Sequence, residues 1–116
     1  IEACLRRQHQ GSNSPTAYFC STDLIAILTL RALTKIGVKV PDEVSVIGFD
    51  GISVGEWLVP SLTTVVQPAE RMGQWAMQHL VDRIDHGAEI ANLVLPYELR
   101  QGESMSVPCN NAGAIV

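Results

Sequence analysis

The 116-residue chain lacks the features that mark several common classes of protein. No apolar run approaches the roughly 20 residues that a membrane-spanning helix needs. Positive charge is scarce. The net charge of −4 and the pI near 5.2 argue against a surface that binds the phosphate backbone of a nucleic acid. The three cysteines have no CxxC spacing and leave one thiol unpaired in any disulfide scheme, which favours reduced thiols in a cytosolic protein.

Motifs for catalysis and metal binding are also missing from the sequence. The chain has no GxGxxG or GxxxxGK pattern, and the GFDG segment at 48–51 is neither a nucleophile elbow nor a P-loop. His79 and His86 are seven residues apart on one predicted helix, a distance of roughly 10 Å, which is too long for a shared metal ion. We therefore predict that the protein is not an enzyme and uses no metal and no cofactor.

The composition instead fits a soluble globular domain, with 47% hydrophobic and 17% charged residues. Strands and helices alternate along the chain, which predicts an α/β fold with a mostly parallel sheet and helices on both sides. A helix begins the chain without an initiator Met or a cap, which indicates an internal cut in a longer protein. The further predicted elements are strands at 16–21, 44–49, 62–66 and 93–100, helices at 23–36 and 68–86, a helical turn around 54–58, and a loose tail at 102–116.

The strand at 44–49 is the most informative of these elements. Its apolar run is typical of a strand covered on both faces, and it places Asp50 at its C-terminal tip. Ligands of open parallel sheets bind beyond the carboxyl ends of the strands. A neighbouring parallel strand would bring Thr22 to the same rim, where a carboxylate and a hydroxyl could bond the hydroxyls of a sugar. Helix capping is the alternative for Thr22 and is favoured for Asp23.

The two long helices differ in the partners that their patterns predict. On the helix at 23–36, one broad face should pack on the sheet, whereas Leu24, Ile27 and Leu28 project among polar residues. These three aliphatic side chains predict a partner surface, unless a neighbouring loop covers them. The second helix has a predicted buried stripe, formed by Met72, Gly73, Ala76, Met77, Leu80 and Ile84.

An ordered set of short motifs runs through the sequence: PTAYF at 15–19, Asp23, GVKVPDEVSVIGFD at 37–50, PSLTTV at 60–65, QP at 67–68 and MG at 72–73. Together they resemble the effector-binding domain of the LacI/GalR family of bacterial transcription regulators, over about residues 15–100. The LTTV-x-QP segment after GFD sets these regulators apart from periplasmic sugar-binding proteins of the same fold. A periplasmic sugar-binding component of a transporter is kept as the alternative.

The resemblance implies a periplasmic binding protein-like type I fold, in which a small molecule, usually a sugar or sugar derivative, lies between two lobes. Effector binding would change lobe closure and hence how an N-terminal helix-turn-helix, paired in a cytoplasmic homodimer, sits on operator DNA. The implied effector contacts are Asp50, Thr22 (where the family often has Asn), Gln67 and Ala69. The implied dimer surface maps onto Ile27 and Leu58, together with the exposed Leu24 and Leu28.

The resemblance also divides the chain into parts of the two-lobed domain. Residues 1–67 would form part of the C-terminal lobe, 68–90 a crossover helix that packs toward the other lobe, 91–101 a returning strand and 102–116 a C-terminal tail. The DNA-binding headpiece and nearly all of the first lobe would precede Ile1. We therefore expect an N-terminally truncated fragment with weak or no effector binding of its own. The family usually has Ser where this chain has Gly102.

Overall fold

The computed structural model describes residues 1–11, 13–87 and 89–107. The second half of the predicted tail, 108–116, lies outside the described residues, and so does the third cysteine. The elements are α1 (Glu2–Gln8), β1 (Ala17–Phe19), α2 (Asp23–Ile36), β2 (Ser45–Asp50), a 3₁₀ turn (Ser53–Trp57), β3 (Thr63–Val66), α3 (Ala69–His86) and β4 (Glu98–Arg100).

The four strands form one sheet in the order β1-β2-β3-β4. β1, β2 and β3 are parallel, with Phe19 opposite Ile47 and Asp50 opposite Val66, and β4 runs antiparallel to β3. The predicted α/β class with a mostly parallel sheet is confirmed. Because three neighbouring strands share one direction, their carboxyl ends meet at one edge of the sheet.

The predicted strand at 93–100 is too long, since only Glu98–Arg100 pairs with β3. Pro96 lacks the N–H that a strand interior needs, and Val94 is 92% exposed. The apolar residues before Glu98 therefore do not find a strand partner among the described residues.

Helix α2 provides the core on one face of the sheet. It begins after Thr22, whose Oγ1 accepts a hydrogen bond from the Ile25 N–H, and it ends at Gly37 in the left-handed conformation, with φ of 82°. Both ends match the predicted boundaries. The buried side chains of α2 meet β2 and β3, and α1 packs on α2 in turn. The apolar core consists of Leu5, Cys20, Ala26, Leu30, Ala32, Leu33, Val44, Val46 and Leu62.

The opposite face of the sheet is less covered than the sequence predicted. Ile47 and Phe49 of β2 are only half-buried, and Phe19, which contacts Phe49 edge to face, is 67% exposed. The prediction that β2 is buried on both faces is therefore wrong within the described chain, because the α1–α2 layer covers one face only.

Helix α3 buries none of its residues. The predicted buried stripe is instead exposed, with Met77 at 61%, Leu80 at 50% and Ile84 at 72%. The predicted range of 68–86 is one residue too long at its start, where Pro68 is the N-cap, and correct at its end before Gly87. The burial of its stripe was not predicted correctly, because no element of the described chain packs over it.

The described part of the predicted loose tail, 102–107, is built into the sheet, so that prediction is wrong there. Ser104 is fully buried: its Oγ donates to the Val46 carbonyl at 2.6 Å and accepts from the Thr63 N–H at 2.9 Å. Its carbonyl accepts from the Val46 N–H at 2.8 Å. The tail thus satisfies backbone groups where β2 and β3 have not yet begun to pair, and buried groups of this kind need partners.

Gly102 opens this inserted segment and leaves no space for a side chain. A Cβ at this position would lie 2.6 Å from the carbonyl oxygen of Ser61. This close contact explains why the chain has glycine here, rather than the Ser that the resemblance implies.

Candidate functional site

The Asp50 tip, residues 50–52, ends β2 at the edge where β1, β2 and β3 all finish. Asp50 has φ of 127° and Gly51 has φ of 82°. Such a backbone conformation at a non-glycine residue costs about 1–3 kcal/mol and persists only where the surroundings enforce it. Strain of this kind is concentrated at binding and catalytic sites, so the tip is the first candidate for a functional site in the described chain.

Gln67 holds the Asp50 side chain. The Gln67 Nε2 donates to Asp50 Oδ1 at 2.8 Å, and the Gln67 N–H donates to the Asp50 carbonyl at 3.4 Å. The parallel pairing of Asp50 with Val66 places Gln67 directly beyond the next strand tip. The structure therefore brings together two of the four residues predicted as effector contacts.

The other two predicted contacts lie at the starts of helices on this edge. Thr22 is half-buried and caps α2, so the capping alternative for its hydroxyl holds. Ala69 is the exposed first residue of α3, and its N–H donates to the Gln67 carbonyl at 2.8 Å. Direct contacts with an effector remain predictions for Thr22, Gln67, Ala69 and Asp50.

Asp23 has a larger role than the sequence predicted. Its side chain is fully buried, and Oδ2 accepts hydrogen bonds from the N–H groups of Gly51 and Ile52, each at 2.8 Å. Its Oδ1 accepts from the Thr64 hydroxyl. The interpretation of Asp23 as the helix cap is wrong, because Thr22 is the cap and the Asp23 carboxylate reaches across the sheet to the Asp50 tip.

The sequence contained one signal for this contact, the glycine of the GFD motif. A Cβ on Gly48 would lie 2.1 Å from Asp23 Oδ1, so the carboxylate occupies the volume that a side chain would fill. The missing side chain of Gly48 therefore makes room for the buried Asp23 carboxylate.

Arg100 of β4 was also missed as part of this region. Its Nη2 donates to the Ile52 carbonyl at 2.7 Å, and its Nη1 pairs with Glu56 Oε1 at 2.5 Å. The residues directly after Asp50 are thus bonded to α2 on one side and to β4 on the other.

The predicted partner patch divides into two parts in the structure. Leu24 and Leu28 are 66% and 48% exposed, as expected. Ile27 and Leu58 are half-buried and together line a groove of about 630 Å³ between α2 and the segments at 37–42 and 58–60. The groove is lined mainly by apolar residues, together with the charged Arg31, Lys39 and Asp42.

Metal-binding clusters and membrane-spanning helices are both absent from the described ranges. Residues 1–11, 13–87 and 89–107 contain no group of three His, Cys, Asp or Glu side chains that could hold a metal ion. Within the same ranges, no helix combines the length and the apolar character needed to cross a membrane.

Comparison with known proteins decides the family. The model of the periplasmic binding protein-like domain matches residues 1–105. Over 96 residues, which are 80% of the chain, the sequence is 40% identical to the HTH-type transcriptional repressor PurR of Photorhabdus laumondii. The chain belongs to the LacI/GalR family. It carries part of that family's periplasmic binding protein-like, effector-binding domain, so the resemblance based on the motifs is confirmed.

Solved structures of LacI/GalR regulators share the fold. The transcriptional regulator CelR in complex with cellobiose matches 77% of the chain with a TM-score of 0.72 and 40% identity. A dimeric lac repressor matches 92% of the chain with a TM-score of 0.79 and 27% identity. The chain spans 28% of the PurR length, 28% of the CelR chain and 39% of the lac repressor chain.

Proposed function

We propose that this chain contributes one wall of the effector site in a dimeric, cytoplasmic transcription regulator of the LacI/GalR family, and that the effector is a sugar or sugar derivative. The observation that carries the proposal is the strained Asp50 at the strand tip, with its carboxylate oriented by Gln67. An ionised carboxylate accepts several hydrogen bonds, and adjacent hydroxyls of a sugar are matched donors. The CelR–cellobiose complex, which shares the fold at 40% identity, supports a sugar.

In this proposal Asp50 is the main effector contact. Gln67 orients its carboxylate and adds amide groups to the same rim. Thr22 can still donate its hydroxyl proton, because capping α2 uses its oxygen as an acceptor. The backbone at Ala69, where α3 begins, completes the predicted contacts.

The exposed stripe of α3 supports a second part of the proposal, that residues 68–90 pack toward the other lobe of the effector-binding domain. A run of apolar side chains at helical spacing is normally buried against a partner. We also propose that residues 1–67 belong to the C-terminal lobe and that 91–101 form a strand returning to it, which the pairing of β4 with β3 supports. Closure of the two lobes on the effector would then alter how a DNA-binding headpiece of the full-length protein sits on its operator.

The groove that contains Ile27 and Leu58 supports a homodimer. Leu24 and Leu28 extend its apolar surface along α2, and the dimeric lac repressor is one of the structures that share the fold. We expect Ile27→Glu or Leu58→Glu to convert dimers of the full-length protein into monomers, because each change places a charge in an apolar interface. Sedimentation velocity measures the outcome, with the exposed Glu70→Gln as control; dimers that persist in both variants would contradict this surface.

The effector site is tested by Asp50→Ala in the full-length protein, with the exposed Asp85→Ala on α3 as matched control. A thermal-shift screen with cellobiose, ribose and further mono- and disaccharides first identifies a sugar that stabilises the wild type. We expect Asp50→Ala to lose at least tenfold in affinity for that sugar, since a hydrogen bond to a charged group contributes about 1.5–3 kcal/mol. Operator binding without the sugar, measured by fluorescence anisotropy, should equal that of the wild type under the same conditions. An unchanged sugar affinity in the variant would sink the assignment of Asp50.

The repressor class of the PurR relative favours a regulator over a sugar-binding component of a transporter. The same relatives support a role in binding rather than catalysis. A pull-down of the full-length protein on genomic DNA fragments, followed by sequencing, should recover a small set of operators, whereas a transporter component would recover none.

A further inference from the structure

Two side chains of opposite charge hold the peptide groups that follow Asp50. On one side, the Asp23 carboxylate accepts from the N–H groups of Gly51 and Ile52, each at 2.8 Å. On the other side, Nη2 of Arg100 donates to the Ile52 carbonyl at 2.7 Å. Both polar groups of the Ile52 backbone are thus bonded to charged side chains, and such bonds are about twice as strong as those between neutral groups.

The two side chains are themselves fixed to different degrees. Asp23 is fully buried, lies against Gly48 and accepts a third hydrogen bond from Thr64, so it cannot swing away without leaving buried groups unpaired. Arg100 is 25% exposed and is braced by Glu56, which is 53% exposed. The Asp23 side chain is therefore fixed in place, whereas the Arg100 side chain can move more easily.

The backbone between these side chains needs such support. Asp50 and Gly51 have successive φ values of 127° and 82°, and Gly51 presses so closely on Val66 that a Cβ would lie 2.8 Å from its Cα. A strained conformation of this kind relaxes when its contacts are lost. Relaxation would change the direction in which the Asp50 carboxylate points.

We propose that Asp23 and Arg100 act as positioning residues: they clamp the Ile52 peptide and thereby orient the Asp50 carboxylate. This inference rests on the proposed effector site. Arg100 lies on β4, the strand that follows α3, opposite Thr64 of β3. The orientation of the Asp50 carboxylate consequently depends on where β4 lies relative to β3. A shift of β4 would reach the effector site through the Arg100 side chain.

Hydrogen exchange of the full-length protein without ligand tests the clamp directly. The variants are Arg100→Gln and Asp23→Asn, and Glu56→Gln is the control that removes the ion pair but keeps the bond from Arg100 to Ile52. We expect exchange of the peptide covering 49–57 to be about three- to tenfold faster in the first two variants, because one net hydrogen bond corresponds to such a factor. Exchange of the peptide covering 24–36 should not change.

An unchanged exchange rate at 49–57 in Arg100→Gln would overturn the clamp. The same acceleration in Glu56→Gln would also overturn it, because the ion pair rather than the Ile52 contact would then support the tip. Neither result depends on a ligand, so the clamp is tested even if the proposed function fails.

Titration calorimetry with cellobiose and with ribose tests the consequence for binding. We expect Arg100→Gln to weaken binding of whichever sugar the wild type binds by about three- to tenfold. Ser104→Ala, which destabilises the same sheet far from the tip, should leave the affinity unchanged in the folded protein. Equal losses in both variants would reduce Arg100 to a merely structural role. If the wild type binds neither sugar, that counts against the proposed effector class, and the exchange rates decide the clamp.

Discussion

Helices α2 and α3 have similar sequence patterns but differ in burial. Both end at a glycine in the left-handed conformation, Gly37 with φ of 82° and Gly87 with φ of 66°, and both carry an apolar stripe. Yet α2 buries six of its 14 residues, whereas α3 buries none of its 18. Helical periodicity predicts the helix and its apolar face, but it does not say which part of a protein covers that face.

The largest contrast should come from the same substitution on each helix. Leu33→Ala on α2 removes a side chain with 0% exposure, and we expect it to cost about 2–5 kcal/mol, since it leaves a cavity. Leu80→Ala on α3, where the side chain is 50% exposed, should change the free energy of unfolding of this chain by less than about 0.5 kcal/mol. Urea denaturation followed by circular dichroism gives both values.

The same pair in the full-length protein sharpens the comparison. If residues 68–90 pack on the other lobe, Leu80→Ala should then become distinctly destabilising. Equal small effects in both lengths of protein would count against that packing.

Like α2, the segment at 102–107 is packed against the sheet, through the buried Ser104. Ser104→Ala leaves the Val46 carbonyl and the Thr63 N–H without the partner that they share. We expect a loss of about 1–3 kcal/mol in the free energy of unfolding, because each buried polar group without a partner carries a desolvation penalty. Met105→Ala, at an exposed neighbouring position, serves as the control. A loss no larger than that of the control would show that the segment contributes little.

Two glycines should respond to alanine with opposite signs. Gly48→Ala places a methyl group against the Asp23 carboxylate and should destabilise the chain by about 1–3 kcal/mol. Gly73→Ala on α3 meets nothing within 4 Å and should stabilise the helix by about 0.5–1 kcal/mol. Thermal unfolding of both variants measures the signs, and a stabilising Gly48→Ala would contradict the described position of Asp23.

The smallest effect concerns two thiols and needs no mutation. Cys20 is buried beside Thr29 of α2, and burial raises the pKa of its thiol, whereas Cys4 is exposed. A raised pKa means less reactive thiolate at any pH below it, so Cys20 should be alkylated more slowly than Cys4. Iodoacetamide labelling at pH 8, analysed by peptide mass spectrometry, gives the two rates. Comparable rates in the native protein would indicate that α2 does not shield Cys20.

Local signals were sufficient for much of the fold. The end of α2 follows from Gly37, whereas the cap at its start is Thr22 and not the favoured Asp23. The position of Asp50 follows from the apolar strand before it. The exposure of Leu24 and Leu28 follows from helical spacing. Each of these features is decided within about one or two turns of chain, where propensity and capping act.

Features decided by distant contacts were not predicted. An aspartate at a helix start fits local capping, and nothing near Asp23 in the sequence reveals hydrogen bonds to N–H groups at positions 51 and 52. Likewise, the serines after Gly102 have the polarity of a loop, although Ser104 fills the gap between two strands. In both cases the partner is a backbone group, which has no identity in the sequence.

The insertion of residues 102–107 between the starts of β2 and β3 has a consequence for synthesis of the protein. β2 and β3 are synthesised long before Ser104, which bridges their starts. The backbone groups that Ser104 bonds therefore stay without this partner while α3 and β4 are being made. Nascent chains with unpaired strand groups are prone to wrong associations. Contacts between segments so distant in sequence also form slowly. Insertion of this segment is therefore expected to be a late step, and a stalled chain that ends before Ser104 should be a better substrate for chaperones than one that ends after it.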